Sequence, residues 1–415
     1  MVGDEMRSIT INSSRFQEDF EALAKIGSTN DGGVHRPTFS EAHRMARDWF
    51  LERACAAGFQ AQVDGAGNHS AILMCGPAGG PILLLGSHLD SVPHGGRFDG
   101  ALGVLAALEV LRVVQENGLS LRFNLEAIDF TDEEGTLSGL LGSSAAAGIL
   151  TQHELENPRG GRAALLSGLE LAGLNESGLL KASRDPSRLA GYLELHIEQG
   201  NRLEAESVDI GIVTGIVGLV SITLTFIGRA DHAGTTSMEM RRDAAQGACS
   251  FTVKVRELLM EDFPGCVANV GSIQLLPGAY NIIPGTAVLS LEFRAPDPER
   301  LNGLETALLE LARDEAARFD LELHIAPKGK HAPTPMNSII QKAFQKSAEK
   351  LGLKYIFMAS GAGHDAQAMA GVCPVGMIFV PSIGGASHSP REQTRWTDCI
   401  QGANTLLQTV LELGR

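Results

Sequence analysis

The chain has no uninterrupted apolar run approaching the roughly 18 residues that a membrane-spanning helix needs. Its start, "MVGDEMRSITINSS", is polar and acidic where a secretory leader would be basic and then apolar, so no signal peptide is expected. Clusters of Lys and Arg are missing as well. Acidic residues outnumber basic ones 49 to 34, for a formal net charge of -15, which argues against a nucleic-acid partner. The six cysteines, at 55, 75, 249, 266, 373 and 399, form no CxxC pair and are too sparse for a disulfide scaffold. They are expected to be reduced and mostly buried, as small core residues. Internal repeats and low-complexity stretches are absent. Together these absences point to a cytoplasmic protein with neither membrane nor nucleic acid as partner.

What remains is 415 residues of ordinary globular composition, a length beyond the size at which one core usually stops growing. Two domains are therefore expected. The pattern of the first two hundred residues is strand, helix, strand. A helix is expected over Phe39 to Ala57 with Ser40 as its cap, and another over "ALGVLAALEVLRVVQENG". A buried strand is expected at "GPILLLGSHLD", a further strand at "LRFNLEAIDF", and an alternating one at "YLELHIEQ", whose Leu193, Leu195 and Ile197 oppose a polar side of Glu194, His196 and Glu198. This order implies an α/β fold with a mainly parallel sheet and helices on both faces, whose ligands collect beyond the carboxyl ends of the strands.

From about residue 214 the pattern changes. "LVSITLTFIGRA" and "AVLSLEFRA" alternate, as strands with one wet face do, and between them Ala244, Ala248, Phe251, Val255 and Leu258 keep helical spacing. An inserted α+β domain is expected over 214–328, flanked by the first (1–213) and second (329–415) parts of a discontinuous catalytic domain. The second part holds a helix from Ile339, a buried strand in "VCPVGMIFVPS" and then "GGASHSP".

Five residues at strand ends or in glycine-rich turns suit divalent cations: His88, Asp99, Glu134, His196 and His388. Two cations about 3.5–4 Å apart polarise a carbonyl and activate water, which is the chemistry of amide hydrolysis. His88 and Asp90 are two apart and point to one side of their strand; Asp90 could fix the His88 tautomer or support the site from behind. Asp99, in "GGRFDG", could bridge two cations or cap the helix that follows. Of the adjacent Glu133 and Glu134, one could bind metal while the other carries a proton from water to the leaving nitrogen. Arg294 lies on the polar side of its strand, free either to pair with Glu292 or to grip a substrate carboxylate in two-pronged geometry. His232, in "ADHAG", could be an oxyanion donor or a plain turn residue.

The motifs "GSHLDSVPHGGRFDGALGV", "DEEG", "LELHIEQGNRLE", "GRADHAGTTSMEMRRDA", "NIIPG", "GAGHDA" and "GGASHSP" resemble those of the M20 metallopeptidase family, in its amidase, hydantoinase and carbamoylase group. That group includes N-carbamoyl-L-amino acid hydrolases, allantoate and ureidoglycolate amidohydrolases and β-ureidopropionases. The resemblance implies two divalent metal ions per subunit (Zn, Mn, Co or Ni). His88, Asp99 and His196 would hold one; Asp99, Glu134 and His388 would hold the other. It further implies Glu133 as general acid and base, Asp90 as the residue orienting His88, and a homodimer formed by the inserted lid domain. His232 would stabilise the oxyanion, in its own or the partner subunit's site. Gln199, Asn281, Arg294 and His364 would bind substrate.

The chain departs from the family's usual pattern at Thr136, Leu137, Ser144 and Ser237, none of them a proposed ligand, so these bear on substrate choice rather than on the metals. The expected activity is hydrolysis of the ureido C–N bond of an N-carbamoyl-L-amino acid. Allantoate, ureidoglycolate or β-ureidopropionate is the alternative, since each joins a ureido head to a carboxylate. A noncatalytic ligand-binding relative is the competing reading.

Overall fold

In the computed structural model, which describes residues 9–415, the apolar runs form strands and the amphipathic ones form helices; the acidic start of the chain, residues 1–8, lies outside the described residues. The strands are β1 (Gln60–Val63), β2 (His69–Leu73), β3 (Ile82–His88), β4 (Asn124–Phe130), β5 (Leu189–Ile197), β6 (Ile210–Ile216) and β7 (Gly218–Ile227). They continue with β8 (Val267–Leu276), β9 (Thr286–Ala295), β10 (Glu322–His331), β11 (Thr334–Pro335), β12 (Tyr355–Ser360) and β13 (Val375–Val380). Among the described residues no helix is long and apolar enough to cross a membrane.

Two compact units emerge. One runs to Thr214 and resumes at Pro335; the other is Gly215–Thr334. The first holds a mixed sheet in the order β1-β2-β4-β3-β5-β13-β6-β11, with β12 also on β6. Its centre is parallel: β3 pairs with β4 and β5, and β13 with β5. The edges are antiparallel, through β1 with β2, β2 with β4 and β13 with β6. Every residue of β4 and β13 is buried, as strands covered on both faces require; β13 is an unbroken apolar run, whereas β4 also buries Asn124, Glu126 and Asp129. Helix Ala101–Glu116 packs on β3, β4 and β5 and on helix Trp396–Leu413, and its side chains from Ala101 to Val114 are all buried. Ser40 caps helix Glu41–Ala56, its hydroxyl accepting from the His43 amide at 3.2 Å.

The second unit is a four-stranded antiparallel sheet, β10-β7-β9-β8, under helices Ala244–Asp262 and Pro298–Arg318. Along β7 and β9 the alternation is realised residue by residue: Val220, Ile222, Leu224 and Phe226 are buried with Ala287, Leu289, Leu291 and Phe293. Residue 329, where the return to the first unit is expected from sequence, falls inside β10, whose pairing with β7 carries the chain on to His331. The cysteines divide differently from expectation. All six are free, but only Cys266, Cys373 and Cys399 are buried, while Cys55 and Cys249 are exposed.

Helix Ala101–Glu116 approaches its strands so closely that Gly103 has no room for a side chain. A Cβ there would lie 2.4 Å from the Leu195 carbonyl oxygen and 2.9 Å from Ser87 Cβ, both on strands that cannot yield easily. Gly103→Ala is therefore expected to destabilise the protein by about 1–3 kcal/mol, the usual cost of overpacking. Urea unfolding reads this directly; an unchanged midpoint would mean that the contact has slack.

Candidate metal centre

The four central strands end together, and each delivers part of one cluster. His88 is the last residue of β3, Glu133 and Glu134 follow β4, His196 is the penultimate residue of β5, and His388 lies in the loop after β13. Asp99 enters from the turn before helix Ala101–Glu116. Gly100 makes that turn possible: its φ is +63°, and a Cβ would sit 2.5 Å from the His88 ring. Gly100, not Asp99, is the helix N-cap, and it offers no side-chain bond, so the capping role open to Asp99 from sequence is not taken up.

The Asp99 carboxylate instead divides its two oxygens. Oδ1 is 3.3 Å from His88 Nε2 and 3.2 Å from His196 Nε2. Oδ2 is 3.7 Å from His388 Nε2, which in turn lies 3.4 Å from Glu134 Oε2. Two ligand groups result, His88–Asp99–His196 and Asp99–Glu134–His388, sharing Asp99. The first is fully buried; the second opens outward through the exposed His388.

The ring nitrogens are oriented for ligation. His88 Nδ1 lies 3.1 Å from the Asp90 carbonyl oxygen and His196 Nδ1 lies 2.9 Å from the Ile197 carbonyl oxygen, so each ring can donate from Nδ1 and turn an acceptor Nε2 toward Asp99; that of His196 accepts from the Gly100 amide at 3.2 Å, a contact a metal would have to replace. His88 Nε2 is buried without any hydrogen-bond partner, facing Asp99 and, at 3.6 Å, Glu133 Oε2. An orphaned imidazole nitrogen facing carboxylate oxygens is a donor set that a divalent cation would fit.

Electrostatics agree. Burial opposes charge on His88, yet Glu133, Asp99 and Asp90 outweigh it and hold the imidazolium well above the usual histidine range. Burial likewise opposes the charge on His196, but Asp99 raises it to about 9. Glu134 is pushed up to about 8 by burial and by Asp99, and Glu133 well above the carboxylate range by burial and by Glu134, Asp365 and Asp99, with His88 opposing. Carboxylates that draw protons onto their neighbours in this way would draw a divalent cation more strongly still.

The remaining expected residues fall into two groups. In the first unit, the Asp90 carboxylate lies 3.6 Å from His88 Nδ1 and accepts from the amides of Glu133 and Glu134, both at 3.3 Å, so it serves the ligand on one side and the acid pair on the other. Gln199, at φ +58°, donates from Nε2 to Asp99 Oδ2 at 2.7 Å. His364 is buried with its ring 4.6 Å from that of His196, and burial and His196 lower its pKa well below the usual value. In the second unit, His232 and Asn281 belong to adjoining segments, the Ala233 amide donating to the Asn281 carbonyl oxygen. Arg294 donates to Glu292 from Nε at 3.1 Å and from a terminal nitrogen at 2.7 Å, so the pairing left open by the sequence is made.

Several supporting residues escaped sequence reasoning. Asp132, at φ +58°, accepts from the amides of Leu137, Ser138 and Gly139 and from the Thr38 hydroxyl, and so ties down the segment after the acid pair. Thr38 also contacts Asp90 at 3.0 Å. Ser387 and Glu392 stand against Asp99. Asp132 and Ser387 are themselves members of "DEEG" and "SHSP" and Glu392 follows the latter closely, whereas nothing in the order of residues flags Thr38.

The profile of peptidase family M20/M25/M40 matches residues 84–412. The chain belongs to this family. It is 35% identical over 407 residues to an N-carbamoyl-L-amino acid amidohydrolase of Geobacillus stearothermophilus, covering 98% of this chain and 99% of that one. It is 31% identical over 418 residues to an allantoate amidohydrolase of Bacillus subtilis, with 99% of each covered. A crystal structure of an amidase of the hydantoinase/carbamoylase family from Burkholderia multivorans superposes with a TM-score of 0.90 at 34% identity, over 98% of this chain and 99% of that one. This M20 protein is thus a hydrolase of the amidohydrolase kind.

The two ligand groups make distinguishable predictions. Asp99→Ala is expected to abolish tight binding of both ions, because both groups lose their common oxygen donor. His388→Ala is expected to retain one ion of two. Elemental analysis after desalting checks this; equal losses in the two variants would contradict a shared Asp99.

Proposed function

We propose that this M20 hydrolase cleaves the ureido C–N bond of N-carbamoyl-L-amino acids, yielding amino acid, carbon dioxide and ammonia. The observation that carries the reading is the division of the Asp99 oxygens between two His-containing ligand groups, with Glu133 poised beside His88. Two divalent ions, held by His88, Asp99 and His196 and by Asp99, Glu134 and His388, would polarise the carbamoyl group and lower the pKa of water. Zn, Mn, Co and Ni all suit such mixed imidazole and carboxylate ligands.

The protein's own groups supply the rest. Glu133 takes the proton from the attacking water and delivers it to the leaving nitrogen; burial and neighbouring carboxylates raise its affinity for protons, as a proton carrier requires. His232 supplies an oxyanion donor. Its Nδ1 accepts from the Gly234 amide at 3.0 Å, which leaves the proton of the neutral ring on the exposed Nε2, ready to donate. Arg294 binds the substrate carboxylate, and Gln199, Asn281 and His364 hold the remainder of the substrate. Similarity to the allantoate amidohydrolase favours allantoate as the second candidate, since a carboxylate-binding arginine serves either substrate.

The same reading places the protein in the cytoplasm, where free cysteines persist. It also makes the second unit a lid and the interface of a homodimer. Supporting this, β8 pairs on one side only and exposes Val267, Ile273 and Leu276, while helix Ala244–Asp262 exposes Val253 and Met260.

A panel of N-carbamoyl-L-amino acids, allantoate, ureidoglycolate and β-ureidopropionate, assayed by ammonia release, tests the substrate. Turnover of N-acyl amino acids or dipeptides alone would refute the assignment. Glu133→Gln is expected to lower kcat by about 10²–10⁴-fold with metal content intact. For the assembly, light scattering is expected to give a dimer, and Val253→Glu combined with Ile273→Glu a monomer; a wild-type monomer would refute it.

A further inference from the structure

The loop that delivers His388 is tied to the turn that delivers Asp99 by one buried side chain. Glu392 is 3% exposed. Its Oε1 accepts from the amides of Phe98 at 2.8 Å and Asp99 at 3.0 Å, although almost three hundred residues separate them in sequence. Its Oε2 lies 3.1 Å from the Ser387 hydroxyl oxygen, and that same oxygen lies 3.1 Å from Asp99 Oδ2. The backbone leaves a place for this carboxylate: a Cβ on Gly96 would fall 1.9–2.3 Å from its carboxyl atoms.

The Ser387 hydroxyl has one proton and two carboxylates competing for it. If Asp99 Oδ2 received that proton in full, the oxygen shared with the His388 group would have less electron density for a cation. A carboxylate at 392 draws the hydroxyl toward itself, whereas a neutral amide there could donate to Ser387 and turn its proton onto Asp99. We infer that Glu392 is a positioning residue for the outer cation: it fixes the Asp99 peptide and claims the Ser387 proton, so that Asp99 Oδ2, which already accepts from Gln199 Nε2 at 2.7 Å, is spared a second full donor and keeps a lone pair for the Glu134–His388 group. This rests on the two-ion reading above. The Asp99 Oδ1 side, with His88 and His196, should feel the substitution far less, since no hydrogen bond or ion pair links Glu392 to either ring.

Glu392→Gln keeps the shape and an acceptor for both amides, so it is the informative variant. Calorimetric titration of Mn or Zn into chelator-stripped protein, with elemental analysis, is expected to show two ions on the wild type. On Glu392→Gln the first ion should bind with little change and the second about 10- to 100-fold more weakly, the usual scale for losing a partner of a metal ligand. Removing the redirected donor in Glu392→Gln/Ser387→Ala should recover part of that loss. Wild-type affinity for both ions in Glu392→Gln overturns the inference. So does equal weakening of both with a lowered melting temperature, or a double variant no better than the single. A wild type that binds no second ion refutes the two-ion centre itself, which separates that failure from this one.

Discussion

A buried cluster of carboxylates at the ends of parallel strands is a cost that the rest of the structure must offset. Asp90, Asp99, Glu133, Glu134, Glu194 and Asp365 lie around the His88 and His196 rings, and burial raises the proton affinity of most of them. Moving one isolated carboxylate into a medium of low dielectric costs on the order of 20 kcal/mol before relaxation, so such a set persists only with hydrogen bonds and positive charge to answer it. Part of the answer is in the chain: peptide amides donate to Asp90, Asp132 and Glu392, and imidazoles face Asp99. The remainder is charge of the kind that divalent cations would bring.

The sheet makes this arrangement rigid. Parallel strands paired in register place His88 against Phe130 and His196 against Phe379, so ligands distant in sequence reach the same level of the sheet. The turns beyond them have little freedom. Asp132, Gln199 and His388 hold positive φ without being glycine, a strained conformation that concentrates where a site dictates side-chain direction.

Much of this is legible from residue pattern. Alternation in β7 and β9 and the apolar runs of β3 and β13 report the number of wet faces a strand has, and that is a local property, whereas the polar residues of β4 conceal its burial on both faces. The candidate ligands could be nominated because they recur together at strand ends and between glycines; singly, each had a plainer use, as Asp99 had in helix capping. The supporting residues could not be nominated in this way. Thr38, Asp132 and Glu392 act through contacts to peptide groups far away in sequence, and any polar residue in those loops would read alike. The short helices between Leu141 and Leu180 likewise went unread, since pieces of five to ten residues show too few turns for a period to stand out.

Element types, the break in pattern near residue 214 and the family follow from the linear chain, and the five candidate ligands could be nominated from it, because each depends on short-range periodicity or on motifs of adjacent residues. The folded structure alone decided how Asp99 shares its oxygens, that Gly100 rather than Asp99 caps the helix, that Asp90 serves both His88 and the glutamate pair, and that Glu392 joins two distant loops. Those are matters of distance and direction between segments far apart in sequence, and nothing in the order of residues encodes them until the strands have paired.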